Sequence, residues 1–181
     1  MKKLTIAIAV LLVGCDGSSP SNLREAMGNG HARLVPLGTN ESVTIAIPSN
    51  AKGASSLSLE FRPDGIILAE ARDAIGRLVK AERFRSASSQ TSALRARFAV
   101  FRPPSGKEDF LPRGCSYTYD ASDTVTLVFA NIAIDRKGAD QIKFVHFQTT
   151  CQNRWAELGL MEIRAIIASL PQTALIRSRV L

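Results

Sequence analysis

The sequence predicts a mainly β fold, an antiparallel β-sandwich or open barrel of about seven to nine strands with one C-terminal helix packed on it. Short runs in which apolar and polar residues alternate recur after residue 42, and turn-forming residues separate them. One later stretch has apolar residues at helical spacing instead. The composition, 45% hydrophobic and 22% charged, is that of a globular protein and excludes a disordered, collagen-like or coiled-coil chain.

The first predicted strands are two alternating runs at 43–47 and 57–61. Pro48 ends the first run, and the Pro-Asp-Gly sequence after the second favours a turn. The runs 66–71 and 77–84 then flank Asp-Ala-Ile-Gly, which predicts a hairpin with Gly76 at a positive φ.

The later predicted strands are 93–102, 115–119, 124–134 and 141–151. In 93–102, four apolar residues alternate with Arg95 and Arg97. The run 124–134 is nearly all apolar or β-branched, so it is predicted to be the most buried strand. The last run places Phe144 and His146 on one face and the neighbouring apolar residues on the other.

The predicted helix covers residues 153–170, and Pro171 ends the pattern. Its apolar residues at helical spacing are Ala156, Leu160, Ile163, Ile167 and Leu170. Gly159 inside the helix costs about 1 kcal/mol relative to alanine. A strand stays open as an alternative, because alternate residues from Met161 are also apolar. The tail, 172–181, is assigned to a last strand.

The first residues have the order of a secretory leader. Lys2 and Lys3 precede an apolar run, 4–13, in which Thr5 alone is polar. Ten helical residues rise about 15 Å, half of a hydrocarbon core, so the run is too short to span a membrane. The alternative is a buried N-terminal helix or strand.

The sequence Leu-Val-Gly-Cys that ends at Cys15 resembles the lipobox of bacterial lipoproteins. The resemblance covers residues 1–15 and implies that a signal peptide, 1–14, is removed and that Cys15 is lipidated on its thiol and its amine. Two or three acyl chains anchor a protein firmly, whereas one does not. Residues 15–21 then form a tether, and 22–181 a single β-rich periplasmic domain. Asp16 resembles an inner-membrane retention signal, with the outer membrane as the alternative.

The other two of the three cysteines, Cys115 and Cys151, are an even pair once Cys15 carries lipid. In an oxidising compartment such a pair is expected to form a disulfide. A metal pair or two free thiols are the alternatives. No Cys-x-x-Cys motif and no histidine at ligand spacing accompany the pair, so no metal site is predicted.

Positive charge is concentrated between residues 72 and 113, a segment that contains ten basic residues and four acidic ones. Neighbouring strands at 77–85 and 93–102 would bring four guanidiniums onto one surface. These arginines are Arg83, Arg85, Arg95 and Arg97. Such a surface suits an anionic lipid phosphate or peptidoglycan carboxylates, or an acidic protein. The alternative is an ordinary solvated face. Nucleic acid is not an expected partner in an envelope compartment.

The expected role is protein–protein contact by a membrane-anchored envelope lipoprotein, either as an accessory part of an envelope or secretion assembly or as an inhibitor or immunity protein. The last possibility rests on analogy with small lipoproteins. Tyr117 and Tyr119 share a predicted strand face and could anchor a partner or pack in the core. Binding of an anionic envelope ligand is the alternative function. A hydrolase ranks third, because the two histidines stand outside any known catalytic motif, and no cofactor is predicted.

Overall fold

The computed structural model describes residues 36–48, 56–103, 109–111, 115, 124–131, 142–151, 154–171 and 173–177. The strands are β1 (Glu41–Ile47), β2 (Ser56–Phe61), β3 (Ile66–Arg72), β4 (Leu78–Arg85), β5 (Asp109–Phe110), β6 (Thr124–Asn131) and β7 (Lys143–Gln148). The helices are α1 (Ser88–Ala99), α2 (Arg154–Ala168) and α3 (Ala174–Arg177).

The seven strands form one sheet in the order β4-β3-β2-β1-β6-β7-β5. Strands β1 to β4 follow one another as an antiparallel meander, and β6 then pairs with the free side of β1. The two-residue β5 lies parallel to β7. The sheet does not close on itself, since β4 and β5 remain its two edges. The mainly β, antiparallel class with a C-terminal helix is confirmed.

One face of the sheet is covered by the helices, and the core lies between them. Directly opposed residues share a face, so Ile45 of β1 and Leu127 of β6 point to the same side, and both are fully buried. From α1, Phe98 packs on Phe61 of β2 with ring centroids 4.8 Å apart. The layer against the sheet is therefore made of helices and not of a second sheet.

Gly159 explains how α2 approaches the sheet so closely. A Cβ atom built on this glycine would overlap the ring of Phe147 in β7, including Cδ1 at 2.8 Å. The missing side chain lets the helix pack directly on the aromatic ring, which offsets the poor helix propensity of glycine. The helix predicted over 153–170 is confirmed, and the strand alternative for it is wrong.

The strand predicted over 93–102 is wrong, because residues 88–99 form helix α1. Leu94 and Phe98 are four residues apart, a spacing that places them on one face both in a strand and in a helix. Alanine, arginine, glutamine and serine fill the segment and have no strong strand preference. The described part of the predicted last strand, 172–181, contains the short helix α3 instead.

The β3–β4 hairpin has the predicted turn. Gly76 adopts a φ of 81°, a left-handed conformation that residues with a Cβ rarely adopt. Asp73 accepts hydrogen bonds at Oδ1 from the backbone N–H groups of Ile75 (3.1 Å) and Arg77 (2.9 Å). This aspartate therefore closes the turn in the way expected for an Asx residue.

The prediction that β6 is the most buried strand is met in part, and other predictions concern residues outside the described ranges. In β6, Val125, Leu127 and Phe129 are fully buried, while the alternate residues are half-buried, so the strand is amphipathic and not buried on both faces. Cys15, Tyr117 and Tyr119 lie outside the described residues. Within the described ranges, no helix has the length and apolar character needed to cross a bilayer.

Candidate functional site

The four arginines that the sequence singles out do not form one surface. Arg83 and Arg85 lie on β4, the edge strand of the sheet. Arg95 and Arg97 lie on α1, in the helical layer. The predicted pairing of two strands that would have joined all four is wrong, because the second strand is this helix. The two pairs also differ in what they contact.

Arg95 belongs to a cluster that we call the Glu41 clamp, consisting of Glu41, Arg95 and Arg102. Arg95 donates to the carbonyl oxygens of Glu41 (Nη1, 2.9 Å) and Gly38 (Nη2, 2.6 Å). The Glu41 carboxylate, in a residue only 8% exposed, accepts from Arg102 Nε at 3.0 Å and from the backbone N–H of Gly38 at 2.8 Å. Burial lowers the pKa of Arg95, although a guanidinium remains cationic. The clamp ties α1 and its C-terminal end to the start of β1.

Arg97 is also engaged within the fold. Its Nε donates to Glu162 Oε1 at 2.5 Å, and Glu162 belongs to α2. The ion pair therefore joins the two long helices. Arg95 and Arg97 both have structural partners, so neither guanidinium is free in the way that the predicted anion-binding face required.

The β4 arginines have a different environment. Arg83 stands opposite Leu68 and Arg85 opposite Ile66, so both project from the face of the sheet that no described helix covers. Both residues are exposed, and within the described part of the chain neither forms an ion pair. They are therefore available to a ligand or a partner.

The other basic residues of the β3–β4 hairpin are paired. Arg72 contacts Glu70 at 2.7 Å, Arg77 contacts Asp73 at 2.8 Å and Lys80 contacts Glu82 at 2.8 Å. The hydrogen bond from the Arg77 side chain, followed by those from the backbone of Arg77 and Ile75, holds the pKa of Asp73 below its ordinary value. The Lys80 ammonium, followed by the Thr173 hydroxyl, likewise lowers the pKa of Glu82. The hairpin thus neutralises most of its own charge.

The same hairpin exposes three large aliphatic side chains. Ile75 in the turn is 74% exposed, and Leu78 and Val79 at the start of β4 are 52% and 63% exposed. Aliphatic side chains clustered at one exposed site mark contact surfaces more often than scattered ones do. Together with Arg83 and Arg85 they extend along one edge of the sheet, which we call the β4 edge and define as residues 75–85.

A groove lies beside the end of the β4 edge, with a volume of about 560 Å³. Arg85, Arg95 and the acidic Asp64 line it, and Thr39, Ser88 and Ser92 contribute hydroxyl groups. The N-cap residue of α1 is Ala87, and no side chain caps the helix there. Arg95 is already held by the carbonyl oxygens of Glu41 and Gly38, so the Arg85 guanidinium and the hydroxyls are the groups that can bind a small anion such as a phosphate or a carboxylate.

The open face near β7 carries the one described histidine. His146 Nδ1 lies 3.0 Å from Thr126 Oγ1, and its ring stacks on Phe144 with centroids 6.0 Å apart. Over the described ranges, no group of three or more histidine, cysteine, aspartate or glutamate residues is arranged to hold a metal ion.

The two predicted disulfide cysteines are bonded. The sulfur atoms of Cys115 and Cys151 form a disulfide with the Cα atoms 5.8 Å apart, closing a loop of 36 residues. Cys151 directly follows the turn after β7 and precedes α2, so the bridge attaches the segment after β5 to the junction of sheet and helix. The loop-entropy argument assigns such a bridge about 3–4 kcal/mol of stability.

Sequence reasoning missed two parts of this site. The exposed pair Leu78-Val79 begins two residues after the turn glycine Gly76 and interrupts the alternation, and that interruption was the available signal. Glu41 gives no comparable signal, because its arginine partners are more than fifty residues away in the chain.

No protein-family model matches this chain, and no curated protein is significantly similar to it.

Proposed function

We propose that this protein is a lipid-anchored envelope lipoprotein that acts by protein–protein contact, as an accessory part of an envelope or secretion assembly or as an inhibitor of a partner protein. One observation carries the proposal. The disulfide uses Cys115 and Cys151, so Cys15 is the remaining cysteine, and it stands at the end of the lipobox-like sequence. A bridge of this kind fits an oxidising compartment such as the periplasm.

The character of the β4 edge supports contact with a protein over catalysis. Three exposed aliphatic residues beside two arginines that form no ion pair within the described ranges have the composition of an interface, in which apolar anchors are surrounded by polar groups. The polar residues of the Glu41 clamp are already occupied in holding the fold together. The contact surface is therefore assigned to the sheet edge.

The anchor is tested by labelling cells that express the full chain with palmitate and determining the mass of the purified protein. We expect label on the wild type and none on Cys15→Ala, because the thiol is the acceptor. The double variant Cys115→Ser/Cys151→Ser is the matched control and keeps the label. An unlabelled wild-type protein that retains Met1 contradicts the proposal, and so does a wild type in which Cys115 and Cys151 are free thiols.

The second candidate function, binding of an anionic envelope ligand, is favoured by the groove that Arg85 and several hydroxyl groups line. A pair of variants separates it from protein contact, because Arg85 lines the groove and Arg83 does not. Retention on isolated peptidoglycan, or chemical-shift changes caused by inorganic phosphate, should be lost in Arg85→Glu and kept in Arg83→Glu. Equal loss in both variants, or no binding by the wild type, contradicts the groove as the site.

A further inference from the structure

We propose that the β4 edge accepts an added β-strand from a protein partner, and that this segment carries acidic residues at one end and apolar residues at the other. The inference deepens the proposed contact function and rests on it. It names the mode of contact, which is main-chain pairing with an edge strand, and the chemistry of the segment that pairs.

The position of β4 provides the main-chain part of the recognition. It pairs with β3 on one side, over seven opposed residue pairs from Ile66↔Arg85 to Arg72↔Leu78, with a register shift that leaves Val79 unopposed, and no described strand occupies the other side. In an antiparallel strand, alternate residues direct their N–H and C=O groups away from the existing neighbour. These groups form a ready template for an incoming strand.

The charges on β4 make that template selective. Lys80 and Glu82 stand opposite Ala71 and Ala69, so they lie on the side of the helices and pair with each other. Charged side chains on an edge strand discourage indiscriminate pairing. Arg83 and Arg85 project from the other face, two residues apart and without an ion-pair partner in the described structure. An incoming strand complements them when it has acidic residues at alternate positions.

The opposite end of the β4 edge requires apolar contacts. Leu78 and Val79 are more than half exposed, and Ile75 in the adjacent turn is 74% exposed. Burying such side chains contributes about 25 cal/mol for each Å² of apolar surface removed from water. A partner segment with aliphatic residues at this end would therefore gain affinity there, while its acidic end sets the direction and register.

A lipid surface fits this edge less well. The basic residues nearest the turn, Arg72, Arg77 and Lys80, are each paired with an acid, so the apolar turn has no surplus positive charge. The unpaired Arg83 lies four residues beyond Val79, about 13 Å along the strand. An apolar tip that enters a bilayer needs its free cations close behind it, at the depth of the phosphates.

A second copy of the chain fits less well too. Two β4 strands paired antiparallel about Ala81 would set Arg85 opposite Arg77 and Arg83 opposite Val79. The unpaired positive charges would then meet no acid, and like charges directly opposed in a sheet are destabilising. Charge complementarity thus selects a different, acidic partner.

The test uses the full chain, purified in detergent, and a synthetic probe peptide of about eight residues with the sequence Glu-Thr-Glu-Lys-Thr-Glu-Val-Ile. Paired antiparallel, its acids face Arg85, Arg83 and Lys80, its lysine faces Glu82, and its aliphatic end faces Val79 and Leu78. The control peptide exchanges every glutamate and lysine. Binding is measured by fluorescence anisotropy, and the site is located by hydrogen exchange of the amides of residues 75–85.

We expect the probe peptide to slow exchange in β4 and to bind at least about tenfold more tightly than the control peptide. Arg83→Glu/Arg85→Glu should abolish that preference, because either peptide then meets two attractive and two repulsive charges, and Leu78→Ser/Val79→Ser should weaken both peptides. Arg164→Glu is the matched control variant, because Arg164 is an exposed arginine on α2 without an ion pair in the described structure, and it should change nothing.

Three outcomes overturn the proposal. The first is unchanged β4 exchange with the probe peptide at about 1 mM. The second is protection of residues 75–85 that appears with rising protein concentration and no peptide, which would identify a second copy. The third is protection in nanodiscs containing about 30% phosphatidylglycerol but not in pure phosphatidylcholine, which would identify a lipid surface. Lipidation of Cys15 is measured separately by mass, so a failed anchor and a failed strand partner give different results.

Discussion

The helix α1 and the strand β4 each carry a pair of arginines, and the two pairs have opposite environments. Arg95 and Arg97 on α1 have acceptors from β1 and α2 within 2.9 Å. Arg83 and Arg85 on β4 have no ion pair among the described residues, because no described element covers that face of the sheet edge. The same side chain therefore stabilises the fold in one region and is left available for recognition in the other.

The difference lies in the packing around each arginine and not in the local sequence. In both regions the two arginines are separated by one residue within a stretch of basic character. A guanidinium that is half-buried between two layers must find acceptors, since an unpaired buried donor is costly. At a sheet edge, water satisfies the same group. Changes to the helical region should thus alter stability, and changes to the β4 edge should alter binding alone.

The largest expected effect is on the Glu41 clamp. Glu41→Ala removes the acceptor of Arg102 and should lower the free energy of unfolding by about 2–3 kcal/mol, somewhat less than for a dry ion pair because the Arg102 side chain is 24% exposed. Urea denaturation monitored by circular dichroism measures this change in the free energy of unfolding. Glu70→Ala, which breaks the exposed pair with Arg72, is the control and should cost less than about 1 kcal/mol. Equal losses would remove the distinction between the two regions.

Two glycines, one in helix α2 and one in the β3–β4 turn, test the same contrast between the packed helical layer and the exposed hairpin. Gly159→Ala forces a methyl group against Phe147 and should destabilise the protein by about 1–3 kcal/mol, despite the better helix propensity of alanine. Gly76→Ala meets no atom within 4 Å, so its cost comes only from the left-handed backbone and should be about 1 kcal/mol. Gly76→Asn should recover part of it. Thermal unfolding that is unchanged by Gly159→Ala would show that α2 can move away from the sheet.

The arginines themselves give the next effect in size. Arg97→Gln breaks the bridge between α1 and α2 and should cost about 1 kcal/mol, because the pair is partly exposed. Arg83→Gln should leave the free energy of unfolding within about 0.5 kcal/mol of the wild type. The two variants are compared in parallel urea titrations. A destabilised Arg83→Gln would mean that this arginine has a structural role after all.

The smallest effect concerns the pH dependence of the hairpin. Because Arg77 lowers the pKa of Asp73 in the folded state, the carboxylate contributes stability above its ordinary pKa, and that contribution is lost as the pH falls through the lowered value. The melting temperature of Asp73→Asn should therefore fall less steeply below about pH 4 than that of the wild type. Identical acid profiles would show that the Asp73–Arg77 contact is too weak in solution to matter.

The sequence predicts the strands of the meander well, because alternation and turn residues agree there. Gly76 and Asp73 mark one turn, and an Asp-Gly pair at Asp64 marks another. The helix α2 is predicted from the spacing of its apolar residues, and the disulfide follows from the cysteine count. The turns and the helix are indicated by residues close together in the sequence, and the disulfide is indicated by the number of cysteines, which does not depend on the fold.

What could not be predicted depends on contacts between distant segments. Leu94 and Phe98 lie on one face in a strand and in a helix alike, and it is the helix that packs Phe98 on Phe61, more than thirty residues earlier in the chain. The strand assignment of this segment made four arginines neighbours, so the error in one element became an error in the site. The Glu41 clamp was missed for the same reason, since a lone glutamate gives no indication of its partners.

The central position of β1 has a consequence for the order in which the chain can fold. β1 pairs on one side with β2, which follows it closely, and on the other with β6, so that Thr44 faces Val128 across the sheet. As the polypeptide emerges from a ribosome or a translocation pore, the four-strand meander can form early. The other flank of β1 must then wait for β6, which begins about forty residues beyond the end of β4, so this flank closes after the meander.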